Sequence, residues 1–261
     1  MSTVGKALSV LDCLSQLNAE PGLTDIARLC GLDKATTRRM LVELEKHGFV
    51  EQDAQTRKYR IGSAPMRLAR IREARYPFLR IAIPFVKELA EASQETVHLS
   101  EMSAGRLSTI HVEDSPRAHR VIVEMGSPLP FHATASGLAY LAFCTEQQID
   151  AALSRPLEAF TPHTATDPAL VRRLLDETLA RGFSIGDQSF ESGVVSTAAP
   201  VLSPAGLPIG AIAIAAPVAR TDDATINAFG AMVRESAGRL SEKYYGSEKP
   251  RGTTVQNERN G

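Results

Sequence analysis

Residues 23–50 read LTDIARLCGLDKATTRRMLVELEKHGFV, and they hold the strongest structural signal in the chain. Apolar side chains at helical spacing follow Thr24, which predicts a short helix capped by that residue and closed by Gly31. Asp33 has a carboxylate that can cap a longer helix, which Gly48 ends. A short helix, a turn containing glycine and a longer helix are the pattern of a helix-turn-helix.

The residues before this region predict one more helix, over residues 3–17. Its apolar positions recur every three or four residues, as expected for one buried helical face. They are Val4, Ala7, Leu8, Leu11, Leu14 and Leu17. The first part of the chain therefore predicts three helices in succession.

The longer helix has two faces with different chemistry. Thr37, Met40, Leu41 and Leu44 share the face that must pack on the other helices. The face left exposed carries the predicted contacts to the DNA major groove, which are Lys34, Ala35, Thr36, Arg38 and Arg39. Arginine suits bidentate contact with guanine, while lysine and threonine suit a base edge or a phosphate. The alternative for an isolated helix is an arginine-rich face in solvent.

The residues after Gly48 favour the DNA-binding interpretation. Residues 49–52 and 58–61 predict two short strands joined by a polar turn. Arg57, Lys58 and Arg60 lie on its tip and return strand, where they would contact the sugar-phosphate backbone or the minor groove. Residues 1–62 are therefore predicted to form a winged helix-turn-helix that binds duplex DNA.

Composition agrees with two domains. The chain has 261 residues, 43% of them hydrophobic and 23% charged, which is ordinary for a globular protein. Residues 1–75 carry 13 Lys and Arg against 9 Asp and Glu, a net charge of +4. Residues 76–261 carry 16 against 21, a net charge of −5. The positive part is the part expected to bind a polyanion.

Several classes of protein are disfavoured. No apolar run is long enough to span a membrane, and the first residues lack the features of a secretory signal, so we expect a cytoplasmic protein. The chain has three cysteines, an odd number, and they lack CxxC spacing. We therefore expect them to be reduced and mostly buried. No GxSxG, Walker A, GxGxxG or HExxH motif is present, and the histidines lack metal-ligand spacing. We therefore expect no enzyme activity, no metal and no cofactor.

Residues 63–76 are predicted to form a linker helix. Its arginines either reach phosphate or lie on a solvated or dimer-contact face, and they are Arg67, Arg70, Arg72 and Arg75. Pro77 ends the helix. Pro84 then interrupts residues 78–92, which predicts a kink or two consecutive short helices.

Residues 77–245 are predicted to form a second, α+β domain. Short extended runs at 96–101, 107–112 and 121–124 indicate an antiparallel meander. Helices are expected at 134–144, 168–181 and 222–245, with strands at 194–201 and 209–215. The polar residues 246–261 are expected to be a disordered tail.

A candidate ligand pocket follows from the loop at residues 126–130. This loop leads to Thr134, which can cap a helix. The first turn of that helix is Ala135, Ser136 and Gly137, whose small side chains would leave the backbone amides exposed. Exposed amides at the positive end of a helix would attract a carboxylate. His132, Thr134 and Ser136 add side-chain donors. An ordinary capped helix is the alternative.

Two strand histidines are further pocket candidates. His98 and His111 would project toward such a cavity, or else be packed or solvated as most strand histidines are.

The chain resembles the IclR family of bacterial transcription regulators. The matching stretches are VGKALSVLDCL at 4–14, residues 23–50, YRIG at 59–62, GSPLPFHATASGLAYLA at 126–142, residues 181–217 and the last helix. The resemblance implies a winged helix-turn-helix, a linker helix and a GAF-like effector domain, working as a homodimer or a dimer of dimers. It also places four pocket residues opposite the Thr134 helix, namely Asp187, Ser189, Glu191 and Ser196.

The chain departs from the family where the pocket is expected. Leu138 stands where the family often has Lys, Ser189 where it usually has Glu, and Ala213 and Ala215 where members that bind small anions often have Ser. An apolar floor of Ala213 and Ala215 favours an aromatic or similarly bulky organic acid.

The predicted partners are a pseudo-palindromic DNA operator and a small organic-acid effector, with a catabolic operon as the target. The alternative is a DNA-binding protein whose second domain only oligomerises.

Overall fold

A computed structural model describes residues 1–17 and 19–246 of the chain. The described chain divides into two compact units, Met1–Pro77 and a second unit that begins at Phe78. The helix predicted as a linker groups with the first unit. Apart from Gly246, the predicted disordered tail lies outside the described residues.

The first unit is a winged helix-turn-helix, as predicted. Its elements are α1 (Thr3–Ser15), α2 (Leu23–Leu29), α3 (Lys34–Lys46), β1 (Val50–Gln52), β2 (Tyr59–Ile61) and α4 (Ala64–Arg75). The two strands are antiparallel, with Val50 opposite Ile61 and Gln52 opposite Tyr59. They form the wing.

The core of the first unit shows which stripe of α1 is buried. Val10 and Leu14 lie inside, packed with Ile26 and Leu41 among others. The prediction that Val4 and Leu8 are buried is wrong, because their exposures are 69% and 55%. Periodicity identifies an apolar stripe but not whether a neighbour covers it, and the first turns of α1 border an open apolar groove.

The helix caps decide where α2 and α3 begin. The residue that caps α2 is Gly22 and not Thr24, because the Gly22 amide donates to the Asp25 carboxylate and its carbonyl accepts from the Asp25 amide. Asp33 caps α3 as predicted, since its Oδ1 accepts the Thr36 amide at 2.8 Å.

The second unit confirms the α+β prediction. Its elements are α5 (Phe78–Ser93), β3 (Thr96–Ser103), β4 (Arg106–Glu113), α6 (Ala135–Leu141), α7 (Glu146–Leu153), α8 (Pro168–Arg181), β5 (Ser184–Asp187), β6 (Val194–Leu202), β7 (Pro208–Pro217) and α9 (Asp223–Gly246), with a 3-10 turn at Val218–Arg220. The five strands form one antiparallel sheet in the order β4-β3-β7-β6-β5.

The two faces of this sheet are covered differently. On one face Leu99 and Ile212 pack with Phe78 and Leu240, so α5 and α9 complete the main core. On the other face α6 packs on β6 and β7 through an alanine cluster, which is Ala135, Ala139, Ala198, Ala211 and Ala213. Such small side chains let the helix approach the sheet closely. The space beside α6 on this face holds the cavity described below.

Several predicted elements of the second unit differ in the structure. Residues 121–124 form no strand, and the chain instead attaches to β4 through hydrogen bonds from the Gly126 amide to the Thr109 carbonyl and from the Leu129 amide to the Leu107 carbonyl. Pro84 lies inside a single helix, α5, which excludes the two consecutive short helices given as one alternative. The helix predicted at 134–144 is shorter, and α7 and β5 were not predicted.

Within the described ranges, no helix is long and apolar enough to cross a membrane. No cluster of three or more His, Cys, Asp or Glu in that part of the chain is placed to hold a metal ion. Cys13, Cys30 and Cys144 carry free thiols, as predicted, and each is partly buried.

Candidate functional site

The start of α3 presents a basic surface. Lys34, Ala35, Arg38 and Arg39 are exposed over its first two turns. None of the three cations has an ion pair among the described residues, whereas Lys46 at the other end pairs with Glu43 at 2.7 Å. The unpaired positive charge is therefore concentrated at the end of α3 that helix-turn-helix proteins insert into the major groove.

Thr36 does not share this exposure, so the prediction that it is exposed is wrong. The residue is only 7% exposed because the buried stripe of α3 begins with Thr36 and the fully buried Thr37. The Thr36 hydroxyl oxygen accepts a hydrogen bond from Arg39 Nη2 at 3.3 Å. This contact orients the Arg39 guanidinium.

The wing carries its charges in two settings. Arg57 and Lys58 are exposed at the end of a turn in which Asp53 Oδ1 accepts the Thr56 amide at 2.7 Å. Arg60 is also exposed, but its Nε donates to Glu51 at 3.1 Å, and this contact raises the pKa of the guanidinium. Arg57 and Lys58 are thus the wing cations available to a phosphate, while Arg60 braces the two strands.

The second unit contains a cavity of about 390 Å³ between the sheet and the start of α6. The predicted pocket residues that line it are His98, Thr134, Ala135, Ser136, Ser189, Glu191, Ser196 and Ala215. These residues come from the strands β3, β6 and β7, from the start of the helix α6 and from the loop after β5. The structure therefore brings together residues that are more than a hundred positions apart in the chain.

Two predicted histidines lie outside the cavity lining. His132 is buried, with Nε2 at 2.8 Å from the Glu158 carbonyl oxygen and its ring beside Phe160. His111 faces its own strand neighbour, with Nε2 at 2.9 Å from Glu113 Oε1. Each imidazole has a structural partner that the sequence did not reveal.

Three other predicted residues also lie outside the lining. Asp187 is exposed at the end of β5, and Ala213 is buried beneath α6. Gly137 faces the loop before the helix, where an added Cβ would lie 2.4 Å from the Pro130 carbonyl oxygen. Gly137 is required for packing rather than for an open surface.

The predicted anion site at the start of α6 is not built as expected. The helix has seven residues, and the Gly137 amide already donates to Thr134 Oγ1 at 3.0 Å. The Thr134 hydroxyl in turn donates to the Pro130 carbonyl. Thr134 is the N-cap as predicted, and its capping occupies an amide that was expected to be free for a carboxylate.

Two buried polar atoms beside the cavity have no hydrogen-bond partner among the described residues, namely His98 Nδ1 and Thr109 Oγ1. His98 is 6% exposed and Thr109 is 1% exposed. A buried polar group without a partner costs roughly 1–3 kcal/mol, so such groups indicate a ligand or an ordered water. Burial lowers the pKa of His98 to about 4, so its imidazole is neutral at neutral pH.

The outer wall of the cavity is residues 121–129, here called the wall segment. Val121, Ile122, Val123, Glu124, Ser127 and Leu129 line the cavity from it. The Val121 carbonyl accepts a hydrogen bond from the Thr96 hydroxyl at 2.7 Å. Its far end is held by the backbone bonds to β4.

An ion cluster fixes the chain that leads into the wall segment. Glu95 is buried and receives two hydrogen bonds from Arg220, at 2.6 and 2.7 Å. The same guanidinium donates to the His119 carbonyl, and Arg117 lies 3.3 Å from Glu95. The cluster ties residues 117–119 to the start of β3 and so positions the wall.

Family models match both units. The model for the bacterial transcriptional regulator IclR C-terminal domain matches residues 74–242, and the model for the IclR helix-turn-helix domain matches residues 3–54. The chain belongs to the IclR family. It is therefore a DNA-binding transcriptional regulator and not an enzyme.

Individual IclR proteins are similar over nearly the whole chain. The transcriptional repressor IclR of Escherichia coli K12 is 29% identical over 249 residues, covering 94% of this chain and 91% of the relative. A solved IclR transcriptional regulator from Silicibacter sp. TM1040 is 38% identical with a TM-score of 0.83, covering 95% and 98% of the two chains.

An IclR homologue from Microbacterium hydrocarbonoxydans, solved in complex with 4-hydroxybenzoate, has a TM-score of 0.79. Its identity is 24%, with coverage of 94% and 100%, so this likeness shows the fold alone.

Part of the cavity of this IclR regulator was not predicted from its sequence. The predicted loop at residues 126–130 contributes Ser127 and Leu129 to the lining. The lining residues that were not predicted are Thr109, Val121, Ile122, Val123, Glu124, Ala133, Gly186, Phe190 and Val194. Thr109 carried a usable signal, because it is a polar residue alternating with apolar ones in a predicted strand. Residues 121–123 carried no such sequence signal, since an apolar run of this kind is equally typical of a strand.

Proposed function

We propose that this regulator controls transcription in response to a small organic acid that binds in the cavity of the second unit. The observation that carries the proposal is the pair of unpartnered buried atoms beside the cavity, His98 Nδ1 and Thr109 Oγ1. A domain that served only to oligomerise would have no need to keep such a space, whereas an effector would supply the missing partners.

The size and lining of the cavity support a ligand of aromatic dimensions. Its volume of about 390 Å³ lies within the range of roughly 300–1,000 Å³ usual for small-molecule sites. Leu129, Phe190 and Val194 supply apolar walls, while serine and threonine hydroxyls supply a few polar contacts. The Microbacterium homologue of the same fold holds 4-hydroxybenzoate, an acid of this size.

For the DNA contacts we propose two groups of residues. Lys34, Ala35, Arg38 and Arg39 at the start of α3 enter the major groove, with Thr36 orienting Arg39. On the wing, Arg57 and Lys58 contact the sugar-phosphate backbone, with Arg60 bracing the strands.

The assembly proposed is a homodimer or a dimer of dimers. Its paired α3 helices would read half-sites of a pseudo-palindromic operator about one helical turn, or a multiple, apart. Effector binding would favour one placement of the two heads through α4, and a preference for one arrangement is required for any effect. A catabolic operon that consumes the acid is the proposed target.

Thermal unfolding with benzoate, 4-hydroxybenzoate and phenylacetate tests the effector proposal. An acid that binds the folded protein raises its stability by RT ln(1+[L]/Kd), about 2.7 kcal/mol at a hundredfold excess over Kd. Val194→Phe fills part of the cavity and should abolish the gain. Val218→Phe, a matched change at a half-exposed residue outside the lining, should keep it. No gain from any acid in the wild type would favour a domain that only oligomerises.

A further inference from the structure

His98 is the titratable residue at the inner end of the cavity. It lies on β3, the second strand of the sheet, opposite Val112 of β4 and Ala213 of β7. Its Nε2 is 3.2 Å from the Ser136 hydroxyl oxygen, so this nitrogen has a partner. Nδ1 is buried without one, and the residue lines the cavity. A ligand atom is therefore the natural partner for Nδ1.

The cavity offers no fixed positive charge to an acid. Among the described lining residues none is Lys or Arg, and the two charged residues there are Glu124 of the wall segment and Glu191 of the loop after β5. Both glutamates are exposed to solvent. A carboxylate anion entering this space would meet negative charge at the surface and neutral groups inside.

The other titratable groups on the neighbouring elements are engaged elsewhere or lie outside the lining. On β4, His111 faces Glu113. On α6, Tyr140 packs with Leu107 and Leu129. His132 faces a backbone carbonyl, and Asp187 is exposed outside the cavity. Among the lining residues described, His98 is thus the one group that can become a cation.

A buried carboxylate needs a counter-charge or a proton, because an unpaired buried charge is strongly disfavoured. The neutral imidazole cannot supply the charge unless it gains a proton, and a nearby carboxylate raises the pKa of an imidazole. In imidazolium both ring nitrogens are donors. Nε2 would then donate to Ser136 Oγ, and Nδ1 would donate to the ligand.

We propose that the cavity takes up an organic acid together with one proton from solvent, held between the ligand carboxylate and His98 Nδ1. Thr109 Oγ1, the second unpartnered atom, donates to or accepts from another polar group of the same ligand. This inference rests on the proposed effector function and adds the protonation state in which the acid is bound. His98 is accordingly the residue that determines specificity for an acid over its uncharged analogues.

Isothermal titration calorimetry in buffers of different ionisation enthalpy measures the proton uptake directly. Benzoate and 4-hydroxybenzoate are the probes, with benzamide and 4-hydroxybenzamide as their uncharged counterparts. The expected result is an uptake of about one proton per acid bound and none for the amides, with an acid Kd that rises about tenfold per pH unit above neutrality. His98→Gln should remove the proton uptake. Thr109→Val should weaken acid binding but keep the proton uptake.

Each possible outcome distinguishes this inference from the effector function. Acid binding with no proton uptake and a Kd independent of pH would overturn the inference while leaving the effector function intact. Binding of the amides alone would overturn it in the same way, since the cavity would then select neutral ligands. Proton uptake that persists in His98→Gln would assign the proton to another group. Absence of binding by acids and amides together would contradict the effector function as well.

Discussion

His98 Nε2 lies 3.2 Å from Ser136 Oγ, and this contact joins an inner strand of the sheet to the first turn of α6. The two residues are 38 positions apart, and both are nearly inaccessible to solvent. The contact occupies only one ring nitrogen, so Nδ1 of this cavity-lining imidazole keeps no hydrogen-bond partner among the described residues. The low pKa of His98 comes from its burial, and the contact with Ser136 holds the imidazole at the lining of the cavity.

The low pKa of His98 predicts acid sensitivity of the folded protein. The imidazole has a pKa of about 4 in the folded state against an ordinary value of 6.5, so between these values the unfolded chain binds the extra proton. The contribution of the neutral His98 to the free energy of unfolding is therefore full above about pH 6.5. It is lost as the pH falls toward 4, and the loss is about 3 kcal/mol in all.

The test compares wild type with His98→Gln in urea unfolding across this pH range. The variant should lose less stability on acidification. Parallel curves for the two proteins would show that His98 titrates normally.

Arg38 is expected to contact a base or phosphate in the major groove. Arg38→Ala should weaken operator binding about 5- to 150-fold, corresponding to about 1–3 kcal/mol for a bidentate arginine contact. Fluorescence anisotropy with a labelled operator duplex measures the loss, and an unchanged thermal midpoint shows that the fold is intact. Retention of wild-type affinity and specificity by both Arg38→Ala and Arg39→Ala would contradict the assignment of α3.

Lys58 on the wing is expected to contact phosphate without reading sequence. Lys58→Ala should lower the slope of log K against log salt by about one and weaken binding to all sequences alike. Lys46→Ala is the matched control, because Lys46 lies at the opposite end of α3 and pairs with Glu43. Equal slopes for the wild type and Lys58→Ala would place the wing away from the DNA.

Two glycines predict opposite effects of the same substitution. Gly137→Ala places a Cβ 2.4 Å from the Pro130 carbonyl oxygen and 2.6 Å from Phe131 Cα, so the loop before α6 must shift. We expect a loss of about 1–3 kcal/mol or more. Gly238→Ala, in open space on α9, should gain up to about 1 kcal/mol from helix propensity. Thermal unfolding that showed similar effects for both would contradict the close packing of α6.

Because Glu95 is buried in the ion cluster, replacing its partner Arg220 is expected to lower the free energy of unfolding substantially. Arg220→Met leaves Glu95 buried with only the more distant Arg117, and we expect a loss of about 3 kcal/mol. Arg172→Met is the control, since its partners Glu146 and Asp150 are exposed and such pairs contribute at most about 1 kcal/mol. Similar losses in the two variants would mean that the cluster does not anchor the wall segment.

The sequence predicted those parts of the fold whose signals are local. Asp33 and Gly48 bracket α3 because a cap and a left-handed glycine act on adjacent backbone. The side facing solvent was harder to assign: Thr36 is polar yet buried, and Val4 is apolar yet exposed, because only the neighbouring elements decide which stripe is covered. The same holds for residues 121–124, whose run of apolar side chains lines a cavity instead of a strand.

The candidate site could be predicted only in part for a related reason. His98, Ser136 and Ala215 were named and line the cavity, since each stands at a polar or small position of a recognisable element. His132 was named for its chemistry, but a backbone carbonyl far along the chain is its partner. Partners of this kind are set by tertiary structure, and no spacing in the sequence reveals them.

The central claim is tested most directly by fluorescence anisotropy of a labelled DNA duplex taken from upstream of the gene for this protein. The duplex is titrated with the protein, both with and without the aromatic acids named above. We expect tight, salt-sensitive binding whose Kd shifts when an acid is added to the wild type or to Val218→Phe, and does not shift in Val194→Phe. Binding that is insensitive to salt, or a Kd that no acid alters in the wild type, would contradict the claim that this regulator couples an acid-binding cavity to DNA.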